Sequence, residues 1–75
     1  MKQILIDITK AIVEDPDSVS VTEKVSSDTV VLELSVAKRD MGRVIGKEGK
    51  IAKSIRTVMR AAAAKENKRV IVDII

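Results

Sequence analysis

The stretch Val44-Ile45-Gly46-Lys47-Glu48-Gly49-Lys50 holds the residues of this chain best suited to chemistry: two glycines three apart, with lysines inside and just after the pair. Glycines at that spacing let the backbone turn tightly and remove the Cβ atoms that would keep a bulky anion away from main-chain N–H groups. A short apolar segment precedes the pair and a long amphipathic pattern follows it, so the loop opens a helix. The unpaired N–H groups and positive dipole end of that helix point to the same place. Lys47 and Lys50 stand where a helix start ordinarily takes Asp or Glu. Cations set against the dipole imply that an anion such as a phosphate completes the site.

The charge distribution supports this reading more than the total does. The net charge is only +3, but residues 1–37 carry three Lys against seven acids. Residues 38–60 carry Lys38, Arg39, Arg43, Lys47, Lys50, Lys53, Arg56 and Arg60 against Asp40 and Glu48 alone. A basic block centred on a glycine turn is the electrostatic footprint of a nucleic-acid surface, while the acidic remainder repels phosphate. Taken alone, a charge run is commonly no more than a solvated helix face; the glycine loop gives this one its meaning.

Other chemistries are excluded or unsupported. The chain has no Cys and no His, which removes disulfides, thiolate and imidazole metal sites, and His-based catalytic triads. A P-loop needs four residues between its glycines followed by Lys-Ser or Lys-Thr. Gly42 and Gly46 enclose three, and Lys47 is followed by Glu48. No pair of Asp, Glu or Lys residues has a spacing that argues for acid–base catalysis, so no catalytic residue, metal or cofactor is expected. No apolar run approaches the length of a membrane span, and Asp7 interrupts the first apolar run too early for a signal peptide. These features place the chain in the cytoplasm with no membrane association.

The elements that must position the loop can be read from periodicity. Ile4, Leu5, Ile8, Ala11 and Ile12 recur at helical spacing until Glu14-Asp15-Pro16-Asp17 ends the pattern. Val19, Val21 and Val25 alternate with polar residues as a strand, Ser26-Ser27-Asp28 turns, and residues 29–36 form a second strand. In that strand Val30, Leu32, Leu34 and Val36 share the core face. Asp40 is placed as the N-cap of a short helix through Ile45. From Lys50 a helix carries Ile51, Ile55, Val58, Met59 and Ala62 on its core face and Lys50, Lys53, Arg56 and Arg60 on the opposite side. It fades at Glu66-Asn67, and residues 69–75 alternate as a last strand. Seventy-five residues suffice for one domain, residues 1–75. The expected fold is α+β, helix-strand-strand-helix-helix-strand. The hairpin is antiparallel, the last strand parallel to the second, and three helices pack on one face of a mixed three-stranded sheet.

With the loop, its flanking strand and the helix and strand that follow, Val44 to Ile51 and the continuation Ala52-Lys53-Ser54-Ile55-Arg56-Thr57-Val58 resemble the signature of the KH domain. The extra helix and strand on the N-terminal side resemble the type II arrangement of bacterial proteins, and the likeness to small stand-alone bacterial KH proteins covers essentially the whole chain. The resemblance implies a groove for about four unpaired nucleotides. It makes Gly46, Lys47, Glu48 and Gly49 the phosphate clamp, with Val44, Ile45 and Ile51 as candidates for the groove floor and the last strand as the opposite wall. By periodicity the same three apolar residues also fit the core. Lys50, Lys53 and Arg56 would meet neighbouring phosphates, with Arg43 on the other flank; Arg60 is read as solvated.

The chain contains no Phe, Tyr or Trp, so bases cannot stack on aromatic side chains. Glu48 adds a negative charge inside the clamp. Both features point to modest affinity, and the resemblance implies a homodimer, or a heterodimer with another KH-containing protein, as a way to raise it. The reading is a non-enzymatic protein that binds short single-stranded RNA. The resemblance implies an RNA chaperone or post-transcriptional regulator linked to cell growth and envelope or division control. The rival reading is an adaptor that uses the same fold for protein assembly without binding RNA.

Overall fold

The computed structural model describes all residues, Met1–Ile75, and its order of elements follows the periodicities above. Helix α1 spans Lys2–Ile12, strands β1 and β2 span Ser20–Val25 and Thr29–Ser35, and helices α2 and α3 span Met41–Ile45 and Lys50–Ala64. Strand β3 spans Arg69–Ile74. Single 3-10 turns at Pro16–Ser18, Lys38–Asp40 and Lys47–Gly49 join them.

The sheet order is β1-β2-β3, with β1 antiparallel and β3 parallel to β2. Ser26 N–H closes the hairpin on Thr29 O at 2.8 Å. The expected alternation holds in β2: Val30, Leu32 and Leu34 are buried and the residues between them are half-exposed. These three join Val21 and Val72 on one sheet face with Leu5 of α1, Val44 of α2, and Ile55 and Met59 of α3. All three helices therefore cover that face, and 37 of the 49 backbone hydrogen bonds lie within the helices and strands, the other 12 holding the turns and caps between them.

Helices α1 and α3 are each rotated slightly from the face their apolar pattern indicates. In α1 the buried residues are Leu5 and Thr9, while Ile4 is 41% exposed and Ala11 lies in solvent. In α3 the buried line is Ala52, Ile55, Met59 and Ala63. Ile51 and Val58, assigned to the core by periodicity, are 37% and 46% exposed. The small side chains of Ala52 and Ala63 allow α3 to approach its neighbours closely, and that close contact turns the larger Ile51 and Val58 outward.

Asp40 also departs from expectation. It stands at the start of α2 but makes no side-chain cap. Its carboxylate is fully buried and accepts the backbone N–H groups of Glu14 at 3.0 Å and Asp15 at 3.1 Å, tying the end of α1 to the start of α2. The end of α3 comes earlier than expected, at Ala64, where Asn67 takes φ 56° and Lys68 N–H returns to Ala63 O at 3.0 Å.

Candidate nucleic-acid interface

The loop between α2 and α3 is built from three departures from ordinary backbone within four residues. Gly46 has φ 75° and ψ 175°, a region open essentially to glycine alone. Glu48 and Gly49 follow in the left-handed region at φ 57° and φ 73°. Gly46 N–H donates to Gly42 O at 2.9 Å and Gly49 N–H to Gly46 O at 3.2 Å, so the turn folds on itself. It delivers the chain to α3 with Gly49 at the cap position, no side-chain cap and no acidic residue in the first turn. The N–H groups at the start of a 15-residue helix are thus left without a side-chain acceptor.

The basic side chains divide into two groups. Arg39 is paired with Asp15 at 3.9 Å, and Arg43 is hydrogen-bonded to Glu14 with Asp40 at 3.9 Å on its other side. Lys47, Lys50, Lys53, Arg56 and Arg60 take part in none of the four ion pairs of the molecule. The three lysines are exposed at and just beyond the loop. Arg43, expected to flank the clamp, therefore already has two carboxylate neighbours, whereas the lysine cluster is free.

The three floor candidates separate as well. Val44 is fully buried and belongs to the core, which corrects its assignment to the groove surface: α2 is only five residues long and its one buried position is the anchor that seats the loop. Ile45 and Ile51 are 39% and 37% exposed on either side of the glycine turn, where they present apolar surface beside the loop.

Farther along α3, Arg56 is half-buried and donates from Nε to the carbonyl of Val72 at 3.2 Å. Arg60 stands one helical turn beyond. Together with Val70, Ile71, Val72 and Asp73 the two arginines line a cavity of about 230 Å³ between α3 and β3. Arg60 is exposed, as expected of a solvated residue, and makes no ion pair, although it borders this cavity. Its i, i+4 spacing from Arg56 and the last strand were both visible in the sequence, but not that the two arginines and that strand border one cavity.

Hydrogen bonds from Glu14 N–H, then from Asp15 N–H, and the charges of Arg39 and Arg43 hold the Asp40 carboxyl below its ordinary range, against the opposing effect of burial. Asp40 is therefore ionised at neutral pH and serves as a permanent anchor. No three acidic residues stand together in a way that could hold a metal ion. No helix is long and apolar enough to cross a membrane.

This geometry can be set beside known proteins. Residues 2–74 match the family model described as KhpA/KhpB, KH domain. The chain is 59% identical over 75 residues to RNA-binding protein KhpA of Clostridium acetobutylicum, covering all of both chains. It is 52% identical, again over the full length of both, to RNA-binding protein KhpA of Caldanaerobacter subterraneus subsp. tengcongensis. The same-named protein of Chlamydia pneumoniae is 43% identical over 74 residues, or 99% of this chain and 95% of that one. Among solved structures, a crystal structure of Aquifex aeolicus Era superimposes with a TM-score of 0.71 at 18% identity. That match covers 97% of this chain and 28% of the Era chain, and it is a likeness of fold. With the helix-strand-strand-helix-helix-strand order, the mixed sheet and a family model matched over nearly its whole length, the chain belongs to the KhpA/KhpB KH-domain family and has the type II KH fold.

Proposed function

We propose that this protein is a non-catalytic binder of single-stranded RNA, with residues 1–75 acting as one KH unit. The observation that carries the proposal is the junction of the loop with α3: a glycine turn leading into an uncapped helix start, with Lys47, Lys50 and Lys53 exposed and free of ion pairs. Backbone N–H groups and these lysines hold the phosphates, while Ile45 and Ile51 supply apolar contact. Arg56 extends the binding surface toward β3. Arg43 is a reserve contact that must first leave Glu14. The choice of RNA over DNA rests on the names of the family's members, because a phosphate clamp reads a group common to both.

A single domain without aromatic platforms binds modestly. Pairing with a second copy or with another KH-containing protein raises the effective affinity without new contacts. In the cytoplasm such a protein acts as an RNA chaperone or post-transcriptional regulator, with cell growth and envelope or division control as the processes affected.

The test compares binding of a fluorescent single-stranded RNA pool by the native chain and by a Lys47→Asp, Glu48→Asp double variant across a salt series. Asp tolerates the left-handed conformation at position 48, so the variant retains the loop, as circular dichroism can verify. The native protein is expected to show a log–log salt slope of about −3, corresponding to roughly four phosphate contacts on a single strand, and the variant to lose most binding. Equal binding by both would move the contact off the loop. Absence of binding by the native chain would favour the adaptor reading.

A further inference from the structure

We propose that the free edge of β1 is a docking site for a cationic, extended segment of a protein partner, which joins the sheet as a further strand. The inference stands apart from the RNA-binding reading. Strand β1 is an outer strand of the sheet. Ser26 N–H donates to Thr29 O, and in an antiparallel ladder the bonded pairs recur at every second residue, so Lys24 and Thr22 turn their backbone groups to β2. The bond from Ile75 N–H to Leu34 O agrees, because it assigns the even-numbered residues of β2 to β3 and leaves the odd-numbered ones to β1. Val21, Glu23 and Val25 therefore face outward, and no bond from a loop or a side chain reaches their N–H or carbonyl groups.

The fold leaves this edge open. Every residue from Thr22 to Asp28 is exposed, and Val25 is 58% exposed although it shares the helix-side face with the buried Val21. An open edge of this kind pairs with other chains unless its side chains prevent it. Here the charges select among them. Asp17, Glu23 and Asp28 stand before, within and after the strand, exposed and outside the four ion pairs, whereas the one base of the strand, Lys24, is held by Glu33 at 3.6 Å. The other outer strand, β3, runs beside Arg56 and Arg60. The sheet thus has two edges of opposite sign, and the acidic one repels nucleic acid.

Backbone and charge together define the occupant. Its chain is extended, so that its own N–H and carbonyl groups meet those of Val21, Glu23 and Val25. On the helix-side face it sets a cation opposite Glu23 and an apolar side chain opposite Val25, both favourable cross-strand pairs. On the other face Thr22 and Lys24 call only for small polar neighbours. A second copy of this chain fits poorly, because the two-fold antiparallel register that uses all three outward residues sets Glu23 against Glu23.

The experiment titrates the whole chain with the capped peptide Lys-Thr-Val-Thr-Lys-Thr-Val and follows amide hydrogen exchange residue by residue by NMR. At a free peptide concentration about ten times its Kd, exchange at Val21, Glu23 and Val25 is expected to slow about tenfold. Thr22 and Lys24, whose N–H groups already bond to β2, are expected to change less. The fully N-methylated peptide keeps the side chains but offers the edge no N–H donor, and is expected not to bind. The analogue with Glu in place of Lys is expected to bind at least about fivefold more weakly. Glu23→Lys, an exposed change that circular dichroism can show to be folded, is expected to weaken the Lys peptide by roughly twofold to tenfold. The loop variant Lys47→Asp, Glu48→Asp should bind the peptide as the native chain does. Equal binding of the N-methylated peptide, or slowing confined to residues outside β1, would overturn strand addition. Equal binding of the Glu analogue would overturn the cationic occupant, and no binding of the Lys peptide would overturn the docking site altogether.

Discussion

The side chain of Ile51 fills the space into which a Cβ on Gly46 would project: such a Cβ would lie 2.6 Å from Ile51 Cγ1. The first residue of the loop and the second residue of α3 are thereby interlocked, and the side chain that excludes any larger residue at position 46 is one of the two apolar groups flanking the turn. Gly49, with φ 73° but open space around it, is constrained by its conformation alone.

This difference predicts an order of effects. Gly49→Ala should cost about 1–2 kcal/mol, the penalty of a left-handed L-residue. Gly46→Ala should cost more, because the same kind of conformational penalty is joined by the clash with Ile51. Urea denaturation of the two variants provides the comparison. In a double-mutant cycle, Ile51→Ala should relieve part of the Gly46→Ala penalty but none of the Gly49→Ala penalty.

Asp40 and the backbone of Glu14 and Asp15 are joined across more than twenty residues of sequence, and the carboxyl is held below its ordinary value of 3.8. The folded state therefore binds this proton less readily than the unfolded state, and in that range stability rises with pH. The contribution is fully present above pH 3.8 and is lost as the pH falls through the lower folded value. Denaturant unfolding from neutral into acid pH should show this loss in the native chain. In Asp40→Asn, which is expected to be less stable at neutral pH, the corresponding segment of the pH profile should flatten.

Thr9 faces the core of α1 with its hydroxyl fully buried and without a hydrogen-bond partner. A buried unsatisfied hydroxyl costs about 1–3 kcal/mol, and valine has nearly the same shape without it. Thr9→Val is expected to stabilise the fold by about 1 kcal/mol. For a domain of this size that corresponds to a rise in Tm of about 4–8 °C, readable by calorimetry.

Glu14 competes with any phosphate for Arg43. Their pair is about half exposed, so Glu14→Gln should change stability by less than about 1 kcal/mol. Its effect on RNA should be larger: release of Arg43 adds one cation to the clamp. The log–log salt slope for single-stranded RNA is expected to steepen by about 0.7, and affinity at low salt to rise. An unchanged slope would show that Arg43 stays on Asp40 and takes no part in binding.

The sequence by itself determined the features that depend on neighbours a few residues apart. The alternation of Val30, Leu32 and Leu34 marked a strand with one buried face, Pro16 marked the end of a helical pattern, and Gly46 and Gly49 marked a turn needing unusual backbone. The order of elements, the parallel pairing of β2 with β3 and the lysine-flanked loop were legible for this reason. Contacts between distant segments decided the rest. Periodicity placed Val44, Ile45 and Ile51 alike in a core or a groove, and only the seating of α2 and α3 buried the first and exposed the other two. Alanine carries too little polarity to mark a helix face, so the turning of α3 onto Ala52 and Ala63 left no trace in the pattern. Arg43 lost the freedom expected of it because it folds against Glu14, twenty-nine residues away, and Arg56 gained a backbone partner, Val72, from a strand that follows it in the chain. The geometry of a site assembled from separate elements depends on how those elements pack, which local spacing does not encode.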